Sequence, residues 1–358
     1  MNLLGWILFL VFLGWVFERF YLRGIRPRHY PAPDDPDVQQ HFSRPEGPGP
    51  EHQQVVKAVR ALSAGIAGSL RNSNIGAMRK AFDSISAGRE YESEFTRCDA
   101  GGVTAEWVMA PGASTTRRVL YIHGGGFVAG SPKSHRTITS QFSKVSGCAV
   151  LSIDYRMMPE NGIFDCIEDC HNAYRWILEN GPDGPAPIQQ LYIGGDSAGG
   201  NLTLSTLAWI RDNRLRAPEA AVVMSPLTDV TFSGDSVRKN LATDVMLKPL
   251  VKPLVALPAF ARSWWVLWTY RVRPSNPLVS PVLGDLSSLP PTLVQASEAE
   301  ILLDDARRYV YKACASGSQA QLQTWSDMVH IWQIFYPELP QADEAWQEIG
   351  KFLARHQA

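Results

Sequence analysis

Residues 191–201 read LYIGGDSAGGN and place Ser197 within Gly195-Asp196-Ser197-Ala198-Gly199, directly after an apolar run and directly before an amphipathic one. A serine hydroxyl becomes a useful nucleophile only when a neighbouring base takes its proton and a tight turn presents it to the substrate. Small residues on both sides permit such a turn, and a helix N-terminus behind it favours the negative charge that develops in acyl transfer. The pentapeptide alone is weak evidence, because glycine and serine are common; its place between a strand and a helix is what gives it weight. A second run, His123-Gly124-Gly125-Gly126, also follows an apolar stretch. Consecutive glycines can aim backbone N–H groups into a cavity, as an oxyanion hole requires. They also suit a plain turn or a phosphate loop, although a phosphate loop would carry Lys and Ser/Thr after its last glycine, where Phe127 and Val128 stand here.

Both runs need a scaffold that brings them together. Short apolar runs recur at 119–122 (VLYI), 149–153 (AVLSI), 191–194 (LYIG), 221–224 (AVVM) and 292–296 (TLVQA), with a last one at 321–325 (QLQTW). Amphipathic stretches near 165–180, 199–213 and 303–316 lie between them. Such alternation predicts an α/β fold with a mostly parallel central sheet covered by helices on both faces. Residues 51–90 read as helical. The alternation breaks at 228–270, where Pro249, Pro253 and Pro258 forbid one long helix and the chain runs into Trp264, Trp265 and Trp268. This stretch reads as an insertion above the sheet. Its tryptophans could line an acyl pocket, sit at a bilayer interface or pack the lid.

HGGG before GDSAG, with DYRMMPE (154–160) between them, resembles the hormone-sensitive-lipase-like group of α/β-hydrolase esterases, which also includes arylacetamide deacetylases. The resemblance runs from about Val119 to the C-terminus. It implies an α/β-hydrolase fold with a helical cap formed by the N-terminal region and the insertion. It also implies Ser197 as nucleophile and the N–H groups of Gly125, Gly126 and Ala198 as oxyanion donors. The remaining catalytic groups should follow in the order acid, then His. His330, in SDMVHIWQIF after the last apolar run, fits that order, although a His between Met328, Val329 and Ile331 could by itself be a core residue. The other seven are poorer candidates: His29, His41 and His52 lie in the linker region, His123 belongs to the glycine loop, His135 and His171 precede the nucleophile, and His356 is terminal. For the acid, the family usually shows Asp-Pro-Leu-x-Asp, whereas this chain reads Glu300-Ile301-Leu302-Leu303-Asp304-Asp305. Alignment puts Glu300 at the catalytic position, with Asp304 as the alternative acid and Asp304 and Asp305 otherwise suited to the first turn of a helix. Arg156, Pro159 and Glu160 match the family's DYRLAPE stretch as structural support, and Asp196 is expected to bond nearby backbone. The implied reaction is hydrolysis of small to medium apolar carboxylic esters through an acyl-enzyme, with no metal and no cofactor. An amidase or peptidase on the same fold is one alternative. A ligand-binding protein on this scaffold, like the gibberellin receptors that resemble the family but have lost the His, is another.

Composition narrows the partners. The chain has 358 residues, and 34 Lys+Arg against 35 Asp+Glu leave a formal net charge of −1, with none of the basic footprint that nucleic-acid binding needs. Met1 to Phe17 is almost wholly apolar and is followed by Arg19, Arg23, Arg26 and Arg28. Extended to about Leu22, this segment is long enough for a single membrane-spanning helix, with Glu18 and Arg19 placed to reach the headgroups. Arg residues after the apolar run rather than before it favour an uncleaved anchor with the remainder on the cytoplasmic side over a cleaved signal peptide. The third reading is an apolar helix packed over a pocket of a soluble cytoplasmic protein. The organisation expected is a hydrophobic segment at 1–25, a Pro- and Gly-rich linker at 26–50, an N-terminal cap region at 51–103 and a catalytic domain at 104–358 that carries the 228–270 insertion. The five cysteines form no CxxC, which argues against a zinc site, and Cys166 and Cys170 read as two small buried side chains of one helix.

Overall fold

The computed structural model describes residues 2–24 and 30–357. Arg26, Arg28 and His29 lie outside the described residues. The six apolar runs all become strands, and side chains alternate along them. In strand β4 (Ser114–Ile122), Val119 and Tyr121 enter one hydrophobic cluster while Leu120 and Ile122 enter another. In β5 (Cys148–Ile153), Val150 faces with Val119, and Leu151 and Ile153 face with Leu120. A strand buried on both faces must be apolar at every position, so these runs show no polar alternation.

The described residues form a nine-stranded sheet. From one edge it runs β1 (Gln39–Phe42), β11 (Ala320–Trp325), β10 (Thr292–Ser297), β9 (Ala220–Met224), β8 (Gln190–Asp196), β4, β5, β3 (Thr104–Met109) and β2 (Glu94–Asp99). Neighbours from β1 to β5 are parallel; β3 is antiparallel to both β5 and β2. The small pair β6 (Asn180–Gly181) and β7 (Gly184–Pro185) stands apart. Helices α5 (Ile163–Glu179), α6 (Ser197–Asp212) and α10 (Leu303–Ala315) cover one face, and α4 (Arg136–Ser146) and α11 (Pro340–Arg355) cover the other.

Two boundaries differ from the sequence expectation. The supposed linker at 26–50 contains β1, which pairs with β11 in register Gln39 to Leu322, and Leu322 N–H also bonds Val38 C=O. Gln-Gln-His-Phe has no apolar alternation, and only pairing with an existing edge makes it a strand. The boundary at 103/104 falls inside a hairpin, since β2, in the supposed cap region, pairs with β3 from Glu94–Met109 to Asp99–Thr104. The polar face of β2 hid it from a search for apolar runs. Cys166 and Cys170 are buried in α5, and burial raises both thiols, Cys166 to about 12.

Above the C-terminal edge of the sheet sit α2 (Pro50–Arg71) and α3 (Ile75–Asp83), joined by α8 (Lys248–Ala256) and α9 (Ala259–Tyr270) of the insertion. The short α7 (Ser236–Lys239) precedes them. Pro258 stands between α8 and α9, which meet at a bend of 117°.

The N-terminal helix α1 (Leu3–Val16) buries none of its residues. It continues through one π-helical stretch, Phe17–Leu22, to give 20 residues long and apolar enough to cross a membrane. Only the foot is docked. Glu18 is completely buried, accepts a hydrogen bond from Ser263 Oγ of α9 at 2.9 Å and pairs with Arg23 at 2.6 Å. Glu18 therefore does not reach headgroups as expected, because α9 encloses it. The packed-helix reading likewise fails for Leu3–Val16 and describes only the foot. Replacing Glu18 by Ala removes a charged hydrogen-bond acceptor worth about 2 kcal/mol to the docked foot. Hydrogen exchange should then quicken in Phe17–Leu22 and α9 while protection of the central strands is unchanged.

Candidate active site

Four loops leave neighbouring strands at the C-terminal edge of the sheet, where open α/β sheets place their ligands. β8 ends at Asp196, and Ser197 begins α6 with φ 51°, a left-handed conformation that costs energy for a residue with a Cβ. The turn closes because Gly195 and Gly199 have no side chain. A Cβ on Gly199 would collide with the carbonyls of Ile122 and His123, and one on Gly195 with the Ile122 carbonyl and Thr203. The Ser197 turn is thus pressed against the end of β4, where the glycine loop starts.

Asp196 locks the two together. Its buried carboxylate accepts hydrogen bonds from Tyr121 OH at 2.5 Å and from Gly124 N–H at 3.0 Å, with His135 Nε2 at 3.4 Å. Burial works against its charge, but His135 and these hydrogen bonds outweigh burial and hold the carboxyl below its usual range. Asp196 thus bonds backbone, as expected of it. With Gly124 N–H occupied, the chain turns through positive φ at Gly125 (118°) and Gly126 (65°), whose N–H groups donate to no other described group. Ala198 N–H lies in the first turn of α6, where no intrahelical acceptor is in reach.

The other two loops bring in His330 and Glu300. His330 Nε2 lies 2.9 Å from Ser197 Oγ, and its Nδ1 lies 2.5 Å from Glu300 Oε2. The second Glu300 oxygen accepts Ser297 N–H at 2.7 Å, and Ser297 Oγ donates to Met328 C=O at 2.6 Å, which ties the acid loop to the His loop. Both Glu300 and His330 are buried. Burial by itself disfavours the imidazolium, but the hydrogen bond and charge of Glu300, followed by Asp244 and Asp196, raise the His330 pKa above its ordinary 6.5. His123 has the opposite fate: burial and then the neighbouring His135 push it down to about 3, and it stacks on Tyr155 at 4.4 Å.

Ser197, Glu300 and His330 thus meet in one chain of hydrogen bonds, and Gly125, Gly126 and Ala198 face it. Asp304 does not join them. It sits with Asp305 in the first turn of α10, where its carboxylate accepts Ser236 N–H at 2.8 Å and faces a different cleft. Glu300 lies in the turn before α10 and Asp304 in its first helical turn, and their side chains take different directions.

Two residues escaped the sequence reading. Asp244 of the insertion is buried and accepts Ile301 N–H at 3.0 Å, next to Glu300, together with Met246 and Leu247 N–H. Burial raises its pKa despite nearby His330. No local pattern marks it. Arg79 of α3 donates to both oxygens of Glu160, at 2.7 and 3.0 Å, and to the carbonyls of Val128 and Met158, clamping the cap to the loop behind the glycines. Arg156 pairs with Asp165, Glu168 and Asp169, a supporting position as expected.

A cavity of about 660 Å³ opens above Ser197, Gly125 and His330. Its walls are nearly all apolar: Leu62 and Ile66 from α2, Met78 from α3, Leu250 and Leu254 from α8, and Trp265 from α9. The tryptophans therefore divide. Trp265 lines the cavity, Trp264 lies 5.8 Å from Phe17 at the foot of the N-terminal helix, and Trp268 is 71% exposed.

Residues 119–334 match the family described as alpha/beta hydrolase fold. The chain belongs to this family, within its hormone-sensitive-lipase-like group. It is 36% identical to an acetyl-hydrolase of Streptomyces hygroscopicus over 71% of this chain and 80% of that one. With the carboxylesterase/phospholipase LipF of Mycobacterium tuberculosis the identity is 33%, over 72% and 68%. Among solved structures, an esterase from the bacterial hormone-sensitive lipase family superposes with a TM-score of 0.76 at 34% identity, covering 87% of this chain and 99% of that one.

The electrostatics of the His are open to direct test. By NMR of the imidazole nitrogens, His330 should titrate above 6.5. Glu300→Gln should bring the value down, since burial then acts against the charge alone, while Asp304→Asn should leave it in place. Equal shifts in both variants would contradict the contact described.

Proposed function

We propose that this protein hydrolyses carboxylic esters of small to medium apolar substrates through Ser197, His330 and Glu300. The observation that carries the reading is a serine 2.9 Å from a buried His that is itself hydrogen-bonded to a carboxylate, opening onto an apolar cavity of about 660 Å³. The esterases, carboxylesterases and acetyl-hydrolases among its relatives support it.

In the proposed reaction His330 Nε2 takes the Ser197 proton as Oγ bonds to the ester carbonyl carbon. Glu300 holds Nδ1–H and stabilises the imidazolium. The carbonyl oxygen gains the negative charge, and the N–H groups of Gly125, Gly126 and Ala198 receive it. The tetrahedral species collapses, the C–O bond to the alcohol breaks, and His330 returns its proton to the leaving oxygen. Water then repeats the sequence on the acyl-enzyme and releases the acid.

Ser197→Ala should lower kcat on p-nitrophenyl butyrate by on the order of 10⁴-fold or more, with the fold retained by circular dichroism. Full retention of activity would refute the assignment. Because only neutral His330 can accept the proton and its pKa is raised, kcat/KM should fall as pH drops through a value above 6.5. From acetate to hexanoate esters, kcat/KM should rise by about tenfold or more, as each methylene buried in an apolar wall contributes up to about 0.8 kcal/mol.

For placement, the reading is a single N-terminal membrane anchor with the catalytic body on the cytoplasmic side. The exposed apolar surface of α1 supports it, as do Trp264 of α9 beside its foot, the exposed Trp268 and the arginines that follow the apolar run. A chain lacking residues 1–16 should leave the membrane fraction and keep its kcat on soluble esters. A reporter fused after residue 30 should be read from the cytoplasm, and a signal from the opposite side would reverse the topology.

A further inference from the structure

A second large cavity, about 790 Å³, lies at the foot of the N-terminal helix and differs in character from the ester pocket. Arg19, Arg23, Arg238, Lys239, Arg262, Arg307, Arg308 and Lys312 line it, against Asp235 and Asp304. Several of these cations are neutralised. Arg23 pairs with Glu18, Lys239 with Asp235, Arg307 with Glu298, and Arg308 with Asp229 and Asp305.

Four others have no carboxylate partner among the described residues, and of these Lys312 donates to the carbonyls of Val282 and Gly284. Among the described residues Arg19 donates only to Gly24 C=O, and the Arg238 side chain makes no hydrogen bond or ion pair. Arg262 is the decisive one. It is only 5% exposed, its Nη1 donates to the carbonyls of Val255 and Leu257, and its Nε has no partner among the described residues. Burial, then Arg238 and Arg23, lower its pKa, so neighbouring positive charge is concentrated here without full compensation. A buried guanidinium with an idle N–H is costly to maintain unless an anion completes it.

We propose that this cleft binds a phosphate-bearing anion, held by Arg262 from below and by Arg19 and Arg238 at its mouth. Guanidinium groups suit phosphate because their planar N–H forks match its oxygens in pairs. The volume exceeds what a bare phosphate fills and accommodates a larger head group. Arg19 and Arg23 belong to the foot from which the exposed apolar helix emerges, so a phospholipid head group at a bilayer surface and a soluble phosphate ester are the two sources of this chemistry. The cleft is separate from the ester pocket, and its occupancy does not depend on the reaction assigned there.

The test uses the full chain in an uncharged detergent, in the Ser197→Ala background so that ester bonds in the probe survive. Inorganic phosphate and dihexanoyl phosphatidic acid are each titrated by calorimetry. Saturable binding of at least one probe is expected, weakening as salt is added. Combining Arg19→Glu with Arg238→Glu should raise Kd by about tenfold or more. Phosphatidic acid binding over tenfold more tightly than phosphate assigns the cleft to a lipid, and equal binding assigns it to a soluble phosphate ester. Absence of saturable binding by either probe, or equal Kd in the doubly reversed variant, overturns the proposal. With Ser197 restored, the same double variant should hydrolyse p-nitrophenyl butyrate at the parent rate, which shows that the body is folded.

Discussion

The first turn of α6 rests against the carbonyls of Ile122 and His123, so close that neither Gly195 nor Gly199 has room for a Cβ. The rest of the site follows from that approach. It forces Ser197 into a left-handed conformation and raises its hydroxyl above the sheet. It also carries Asp196 beneath the glycine loop, where the carboxylate takes up Gly124 N–H and leaves those of Gly125 and Gly126 turned to the cavity. A buried charge can serve in this way because Tyr121 and the Gly124 N–H bond it and His135 lies against it. The glycine-loop N–H groups and the serine are therefore held together by contacts that precede any substrate.

The pocket above that unit is built from parts distant in sequence. Helices α2 and α3 come from the N-terminal region and α8 and α9 from the insertion, and Arg79 and Asp244 are where cap and catalytic edge are fastened. Phe232 borders both of these cavities, yet the two differ sharply in chemistry. One is apolar and suits a desolvated acyl chain; the other collects cations around the foot of an exposed apolar helix. Glu18 joins that foot to α9, whose Trp265 lines the apolar cavity, so the foot of the N-terminal helix and the wall of the cavity share one helix.

What was legible in the sequence was whatever depends on local repetition or fixed spacing. The six buried parallel strands announce themselves because a strand covered on both faces must be apolar throughout. β1 and β2 were not legible, since a polar edge strand is recruited by its neighbour's unpaired backbone groups rather than by its own side chains. Arg79 pairs with a residue 81 positions away, and Asp244 bonds a backbone group 57 positions away, and neither separation leaves a local trace.

The sequence by itself marked the tight turn at Ser197 and the glycine loop, because small residues alone fit such a backbone; the order of acid and His came from the family resemblance. It also marked Leu3–Leu22 as long and apolar enough to cross a membrane. Only the tertiary structure separated Glu300 from Asp304: Glu300, in the turn after β10, reaches the imidazole, whereas Asp304, in the first turn of α10, bonds Ser236 N–H. Only the tertiary structure buried Glu18 against Ser263 and gathered Arg19, Arg238 and Arg262 into one cleft, because charge becomes a site when folding sets its distances and strips away its water.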